Sequence, residues 1–201
     1  MEQDHTLRYG SMSKPTRSLT RDDWLTAALD ALLHEGPAAV AVQPLARRLA
    51  ATKGSFYWHF ASRDELLRET LQRWEVVATD DVIAAVEASS QPAAEKARAL
   101  FAQVTASSAR HPGQLSLLAA AATHPDVAAA IERSTQRRVE YVAKLLREVG
   151  LRPAVAQRRA ILAYATYLGH AQLVRTSPDV LPDTQRSRRA LVDEMAAVLI
   201  V

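Results

Sequence analysis

The sequence of 201 residues contains no cysteine. Disulfide frameworks, thiolate nucleophiles and cysteine-based metal sites are therefore excluded, which fits a reducing cytoplasm. No apolar run approaches the roughly 20 residues that a membrane-spanning helix needs, and the polar N-terminus lacks the apolar core of a secretion signal. These absences predict a cytoplasmic protein with no membrane partner.

Sequence signatures of catalysis are missing as well. The chain has no nucleophile elbow, P-loop, glycine-rich dinucleotide fingerprint or His-Glu-x-x-His pair. His111, His124 and His170 fall in separate predicted segments, so they are not expected to form a metal cluster. We therefore expect a protein that is not an enzyme and that has neither a metal nor a cofactor.

Positive charge exceeds negative charge only slightly. Lys and Arg number 25 against 22 Asp and Glu, which gives a formal net charge of +3. Such a weak excess permits binding to nucleic acid but does not demand it. Hydrophobic residues make up 48% of the chain, which is enough for a substantial core, and we expect a compact globular protein.

Helical patterns fill almost the whole chain and predict an all-α fold. Residues 1–18 are polar and are predicted to form a flexible arm. A first helix is expected to begin after Thr20, which pairs with Asp23 as a shortened capping box, and to end at Gly36. Its predicted inward side chains are Leu25, Ala28, Leu29 and Leu32.

Two short helices separated by a tight turn come next. The second helix is predicted from about Val42 to Leu49, with Pro44 tolerated because it lies in the first turn. Thr52 is a good N-cap for a third helix from Lys53 to His59. The order of helix, tight turn and short helix is that of a helix-turn-helix.

A fourth helix is predicted to begin after Ser62, where Glu65 completes a second capping box. Its helical spacing continues far enough to connect the first group of helices to a second group. The predicted inward side chains of this helix are Leu66, Leu67, Thr70, Leu71, Trp74 and Val77.

Four aromatic side chains lie within positions 56–60, although Phe, Tyr and Trp make up only 5% of the chain. Phe56 and Phe60 are four residues apart, so they are predicted to share one buried face of the third helix. Polar-tipped rings on the remaining face suit contact with phosphate oxygens and sugar carbons, and Gly54 lets the backbone approach a base edge. The side chains predicted on that outer face are Lys53, Ser55, Tyr57, Trp58 and His59.

The alternative is that these rings pack against the fourth helix, since an aromatic-rich helix taken alone is more often part of a core. The whole arrangement favours contact with DNA, because two capped helices flank the turn and cations lie close to it in the sequence. These cations are Arg47, Arg48, Lys53 and Arg63.

Residues 20–67, above all the stretch PLARRLAATKGSFYWHFASRDELL, resemble the N-terminal DNA-binding domain of the tetracycline-repressor (TetR/AcrR) family. The shared pattern is Leu-Ala in the second helix, a tight turn, and Lys-Gly-Ser-aromatic-Tyr-x-His-Phe before a new capped helix. This chain supplies it with Leu45, Ala46, Lys53, Gly54, Ser55, Phe56, Tyr57, His59 and Phe60.

The resemblance implies a role for each matching position. Lys53, Gly54 and Tyr57 are expected to face the DNA groove, and Trp58 and His59 to lie on the phosphate backbone. Arg63 is expected to clamp a phosphate, and Gln43 to read a base. The candidate DNA-binding residues are Gln43, Thr52, Lys53, Gly54, Ser55, Tyr57, Trp58, His59 and Arg63.

The chain departs from the family pattern at two positions. Ala50 replaces the usual glycine of the turn, and Ala41 replaces the usual Ser or Thr cap of the second helix. A missing cap costs about 1 kcal/mol. Neither departure is expected to abolish the motif.

The division expected from this resemblance is an arm over 1–18, a DNA-binding domain over 19–67 and a helical effector-binding and dimerisation domain over 68–201. Pro92 is predicted to begin a helix that breaks near His111, Pro112 and Gly113. The further predicted helices run from about 115 to 122, from Pro125 to Gly150, from 154 to 174 and from 184 to 200.

The last two predicted helices are unusually apolar, and Gly169 lies inside the first of them. Glycine costs a helix up to about 1 kcal/mol against alanine. A two-fold interface between homodimer subunits, formed by Gly169 with Leu191, Met195 and Val198, would account for this residue. The alternative is a helix pair buried within one chain.

The large side chains of the second domain are candidates for an effector site. A mostly apolar cavity with a few hydroxyl groups is typical of a site for a small molecule, and a small apolar or amphipathic effector is expected there. Each residue taken singly is more often ordinary core or surface. The candidates are Trp74, Phe101, Tyr141, Tyr164 and Tyr167.

Two functional hypotheses follow. The first is a sequence-specific DNA-binding transcriptional regulator, a repressor that binds a palindromic double-stranded DNA operator as a homodimer and is released by an effector. The second is a helical architectural or partner-binding protein that lacks sequence-specific recognition of DNA.

Overall fold

The structure is a computed structural model that describes residues 19–108 and 113–200. Within these ranges the chain forms α-helices and short 3₁₀ or π segments and contains no strand, which confirms the predicted all-α class. The arm predicted over 1–18 lies outside these ranges, as do His111 and Pro112 of the predicted break. None of the described helices is both long and apolar enough to cross a membrane.

The N-terminal part consists of a first helix and a helix-turn-helix. Helix α1 spans Arg21–Glu35, α2 spans Val42–Arg48, α3 spans Lys53–Tyr57 and α4 spans Arg63–Glu75. Helix α3 ends two residues earlier than predicted.

The capping box expected at the start of α1 is formed. The Asp23 N–H donates to Thr20 Oγ1 at 3.2 Å, and the Thr20 N–H donates to Asp23 Oδ2 at 2.8 Å. Two backbone donors that the helix leaves unpaired are therefore satisfied by side chains of the chain itself.

Aromatic rings fill the centre of this N-terminal part. Trp24, Phe56 and Phe60 are buried, and the Phe56 ring lies 5.4 Å from each of the other two ring centres. Leu25 and Leu29 are only partly buried, because α1 turns its alanine face toward the core. Its buried side chains are Trp24, Ala27, Ala28, Ala31 and Leu32.

Helix α4 passes without a break through a π-helical turn, Val76–Asp80, into α5, which spans Asp81–Glu87. The Asp81 N–H donates to the Val76 carbonyl, five residues back. This wide turn changes the phase of the helix, so that Thr79 is buried while Val77 stays 50% exposed. Val77 therefore lies outside the buried core and, like Trp74, borders the cavity between the two parts of the chain.

The C-terminal part is a helical bundle. Helix α6 spans Ala93–Ser108, α7 spans Gly113–Ala121, α8 spans Pro125–Glu148, α9 spans Pro153–Thr176 and α10 spans Gln185–Ile200. The helix start expected at Pro125 is found, since Pro125 occupies the first position of α8. Helix α9 begins at Pro153, one residue before the predicted start. The main connections predicted from Pro and Gly are thus in place.

The two parts share a core. The buried cluster around Trp24 and Phe56 continues into Leu117 of α7 and Ile131 of α8. A second cluster lies between α6, α8, α9 and α10. The boundary expected after residue 67 lies within the continuous α4, which connects the N-terminal helices to this second cluster.

Candidate functional sites

The turn between α2 and α3 is built without glycine. Ala50 adopts a left-handed conformation with φ of 51°, and the Ala51 N–H donates to the Ala46 carbonyl at 2.8 Å. Thr52 then caps α3, since its Oγ1 accepts from the Ser55 N–H at 3.1 Å. Ala41 makes no side-chain capping bond to α2. Helix α3 is thus placed by Thr52 and by a strained Ala50.

The outer face of α3 is open to solvent. Phe56 and Phe60 take the inner face as predicted, while Tyr57 is 60% exposed and Trp58 is 87% exposed. Large aromatic groups are rarely left this exposed together unless they contact a partner. The alternative in which these two rings pack against α4 is therefore wrong.

Exposed cations flank this aromatic face. Lys53 begins α3 and Arg47 lies in the last turn of α2, and both are exposed. Neither forms an ion pair within the part of the chain that the structure describes. Arg48 differs, because its guanidinium binds Asp30 at 3.0 Å and Glu35 at 2.5 Å. Lys53 and Arg47 are thus the cations that this surface offers to phosphate.

Two of the expected DNA contacts are engaged within the domain. His59 is partly buried, with Nε2 3.0 Å from the Leu19 carbonyl oxygen. Arg63 donates from Nε to the Val40 carbonyl at 2.9 Å and from Nη2 to the Pro37 carbonyl at 2.7 Å. Arg63 thus binds the backbone of the segment before α2. The expected contact of Arg63 with a DNA phosphate stays a prediction. Gln43, Thr52 and Gly54 are exposed, and Ser55 is half-buried.

Arg21 and Glu65 connect α1, the segment that follows α3 and the beginning of α4. Arg21 binds the His59 carbonyl, Glu65 at 3.0 Å and Glu69, and its guanidinium lies 4.3 Å from the centre of the Phe60 ring. Glu65 accepts from the Ala61 N–H at 2.7 Å, rather than from Ser62 as a regular capping box would require. That backbone bond, followed by Arg21, holds the pKa of Glu65 below its ordinary value.

A cavity of about 370 Å³ lies between the N-terminal helices and the C-terminal bundle. Leu29 and Leu33 of α1 line it beside residues of the π turn, α5, α6, α8 and α9. A ligand in this cavity would therefore touch the same helix that packs behind α3. The structure brings all the predicted effector-site residues to this cavity, namely Trp74, Phe101, Tyr141, Tyr164 and Tyr167.

Polar groups in the cavity are few. The Arg138 guanidinium lies 5.4 Å from the centre of the Trp74 ring and donates to Thr79 Oγ1 at 2.9 Å and to the Ala78 carbonyl at 3.0 Å. Burial raises the pKa of the Tyr167 hydroxyl above its ordinary value, and the charge of Arg138 opposes that shift. A cation and several hydroxyl groups thus face an otherwise apolar space.

Arg138 is not among the residues predicted for the cavity, although its position in the sequence fits an inward-facing stripe of α8. Ser134, Arg138, Tyr141 and Leu145 follow the i, i+4, i+7, i+11 spacing of a single helical face. Ser134, Tyr141 and Leu145 are buried. An arginine in such an inward stripe indicates a buried functional or structural cation.

A second missed cluster binds the end of α4 to α8. The Glu75 carboxylate, only 5% exposed, accepts from Arg133 at 2.5 Å and from Arg137 at 2.7 Å. Arg137 also lies 3.4 Å from Asp80. Arg138 binds Thr79 and Ala78 on the side of the π turn that faces the cavity. The consecutive residues Arg137 and Arg138 therefore bind this turn from two sides.

The residues predicted for a subunit interface lie on α9 and α10. Gly169 is exposed, with open space where a Cβ would be, so nothing within the subunit requires glycine there. Val198 is exposed and Leu191 is partly buried, whereas Met195 packs against the second core. Further apolar side chains exposed on α9 are Ile161, Leu162 and Leu173.

These features define a class of protein: a helix-turn-helix DNA-binding protein whose helical second part encloses a cavity. Residues 25–70 match the model of the bacterial regulatory proteins of the tetR family. The helix-turn-helix part of the chain is thus similar to that family. None of the curated proteins matches the sequence.

Solved structures of regulators share the fold over most of the chain. A transcriptional regulator from Rhodococcus sp. Rha1 is 21% identical, with a TM-score of 0.70, and 90% of this chain covers 96% of it. A regulator from Saccharomonospora viridis, in complex with choline, is 20% identical, with a TM-score of 0.63 and coverage of 89% and 92%. FadR from Bacillus subtilis, in complex with stearoyl-CoA, is 15% identical, with a TM-score of 0.63 and coverage of 90% and 98%.

Proposed function

We propose that this regulator is a repressor that binds a palindromic operator as a homodimer and leaves it when a small molecule enters the cavity. The observation that carries the proposal is the exposure of Tyr57 and Trp58 around the buried Phe56. Their ring edges and hydrogen-bonding tips, with Lys53 beside them, suit a helix that enters the major groove.

The homodimer is supported by the apolar surface of α9 and α10. Leu162, Gly169 and Leu173 are exposed on one side of α9, and Val198 is exposed on α10. Packing this surface against its copy across a two-fold axis would remove it from water and use the space beside Gly169. Such a dimer presents two α3 helices to half-sites roughly 34–36 Å apart on the DNA.

Release by an effector is supported by the position of the cavity. Leu29 and Leu33 of α1 line the cavity, and Trp74 of α4 and Val77 of the π turn line the same wall. A ligand that prefers one arrangement of these walls would bias the spacing of the two α3 helices. The choline and stearoyl-CoA complexes of similar folds make a small-molecule effector the expected regulator of this chain as well.

DNA footprinting over the region upstream of the protein's own gene tests the DNA-binding part. We expect protection of a short palindrome in the presence of excess random DNA. Tyr57→Ala and Lys53→Ala should abolish the protection while helicity and the dimer remain, since both side chains are exposed. At low salt, the residual affinity of Lys53→Ala should depend less on salt, by about one counterion per subunit.

Arg152→Ala is the matched control, because Arg152 is an exposed cation at the start of α9, far along the chain from α3. It should leave the footprint unchanged. An architectural or partner-binding protein would bind the upstream region and random DNA equally. Full protection by Tyr57→Ala would move the DNA site away from α3.

A further inference from the structure

We propose that the effector of the cavity is an uncharged amphipathic molecule, whose apolar body lies along α6 toward Ala97 and whose polar head binds Gln103 and Ser107. The inference rests on the proposed effector role of the cavity and adds the chemical class and the orientation of the ligand. All three residues line the cavity.

One face of α6 forms a continuous side of the cavity. Leu100, Gln103, Val104 and Ser107 line it at the i, i+3, i+4 and i+7 spacing of a single helical face, and Ala97 lies one turn before Leu100. At a rise of about 1.5 Å per residue, Ala97 and Ser107 are roughly 15 Å apart along the helix axis. A ligand that lies along α6 therefore meets two different ends of the cavity.

The end near Ala97 is apolar and buried. Ala97, Leu100 and Phe101 are 2%, 8% and 5% exposed, and they belong to the second core together with Ala163, which also lines the cavity. A polar group placed here would lose its hydration without gaining a partner, whereas apolar surface is stabilised by leaving water. This end suits the apolar body of a ligand.

The other end carries the polar side chains of the same face. Gln103 is exposed and Ser107 is half-buried, and neither side chain makes a hydrogen bond within the described part of the chain. An amide and a hydroxyl each offer a donor and an acceptor and carry no charge. A hydroxyl or amide head can bond to both, whereas a carboxylate or an ammonium group would leave water without meeting an opposite charge in these two side chains.

The cation of the wall has partners within the protein. Among the described residues that line the cavity, Arg138 is the one with a charged side chain. Its guanidinium donates to Thr79 Oγ1 and the Ala78 carbonyl, lies over the Trp74 ring, and makes a further interaction within the protein. We therefore assign the charge of Arg138 to the fold and derive the head group of the ligand from Gln103 and Ser107 alone.

Calorimetric titration of the intact protein without DNA tests the head group. Octanol, octanamide, octanoate and octylamine share one apolar chain and differ only at its polar end. We expect the alcohol and the amide to bind at least about tenfold more tightly than the carboxylate and the amine, because only the charged heads lose hydration without a counter-charge.

Replacing both polar side chains sharpens this test. In the double variant Gln103→Ala, Ser107→Ala, octanol and octanamide should bind about tenfold less tightly, since two neutral hydrogen bonds are lost. The advantage of these two compounds over octanoate and octylamine should shrink accordingly. Gln157→Ala removes an exposed glutamine of α9 outside the cavity and should change nothing.

The orientation is tested by chain length. From hexanol to octanol to decanol, each added methylene should raise the affinity about fourfold until the cavity is full. Ala97→Leu fills the apolar end, so decanol should lose about tenfold in affinity while hexanol keeps its own. Ala102→Leu adds the same side chain at an exposed position of α6 and should affect neither alcohol.

The inference is overturned if octanoate or octylamine binds as tightly as octanol, if the double variant keeps the full preference, if Ala97→Leu weakens short and long alcohols equally, or if none of the compounds binds. Should Ala97→Leu fail to fold, the head-group series and the double variant decide the outcome. The titrations contain no DNA, so a protein that binds its operator but prefers a charged head keeps the proposed repressor function and loses this ligand class.

Discussion

The backbone of α7 begins in direct contact with Leu33 of α1. A Cβ added to Gly113 would lie 2.4 Å from Cδ2 and 3.1 Å from Cα of Leu33. The nearer atom can rotate away, but the Cα cannot move without α1. Since Leu33 also lines the cavity, this contact joins the N-terminal helices, the C-terminal bundle and the candidate effector site.

Gly113→Ala should force α1 and α7 apart and lower the free energy of unfolding by about 1–3 kcal/mol, the usual cost of overpacking. Denaturant unfolding measures this change. Gly54→Ala is the matched control, because a Cβ there meets only Thr52 Oγ1, at an ordinary 3.6 Å. A Gly113→Ala protein as stable as the control would contradict the close contact.

Ala50→Gly should stabilise the protein. Ala50 has a φ of 51°, and the left-handed conformation costs a residue with a Cβ about 1–2 kcal/mol, partly offset by the greater freedom of glycine in the unfolded chain. We expect a net gain of about 0.5–1 kcal/mol in thermal or denaturant unfolding.

Ala51→Gly provides the comparison for that substitution. Ala51 is the next residue, has no positive φ and packs against the first core. Glycine should therefore cost stability there by about 0.5–1 kcal/mol. Equal effects at positions 50 and 51 would show that the turn is not strained.

The stability that Glu65 contributes should depend on pH. Its folded-state pKa is lowered by the Ala61 N–H and then by Arg21, so its contribution is present above the unfolded pKa of about 4.3 and is lost as the pH falls through the folded value. Glu65→Gln should lower the Tm at pH 7, and the difference from the parent should shrink below about pH 4. Glu140→Gln, an exposed change on α8, should show no such trend.

Gly169→Glu should convert the proposed homodimer into monomers. The added carboxylate meets open space within the subunit, so the fold should remain, whereas two copies of it would face each other across a two-fold axis. Sedimentation at micromolar concentration measures the change. Gln157→Glu, an exposed residue of the same helix, should stay dimeric, and a parent protein that sediments as a monomer would rule out the interface.

Local signals predicted the helix starts and the inner face of α3 correctly. Thr20, Thr52 and Ser62 cap their helices because a short polar side chain can reach a neighbouring backbone N–H whatever the rest of the fold does. The four-residue spacing of Phe56 and Phe60 likewise indicated one buried face, although α3 itself ends at Tyr57. Phe60 lies beyond the end of α3 and is buried because its ring stacks on Phe56.

The features that the sequence did not reveal depend on distant contacts. No local pattern marks the π turn, which is held by Glu75 and Asp80 against Arg137 and by Thr79 against Arg138, all about sixty residues apart in the chain. The engagement of Arg63 with Val40 also needs the folded backbone. The sequence indicates the aromatic residues of the cavity, but only the folded structure shows that Leu29 and Leu33 of α1 line the same cavity.

The wide turn at Val76–Asp80 gives the long connecting helix two phases. A π turn holds one residue more than the regular helix needs, and one residue corresponds to about 100° of rotation. Before the π turn, Leu67 and Leu71 face the first core; after it, Val82 and Ile83 face the second core. Both alignments require the extra residue of the turn. The length of this segment therefore sets how the helix-turn-helix is rotated relative to the C-terminal bundle.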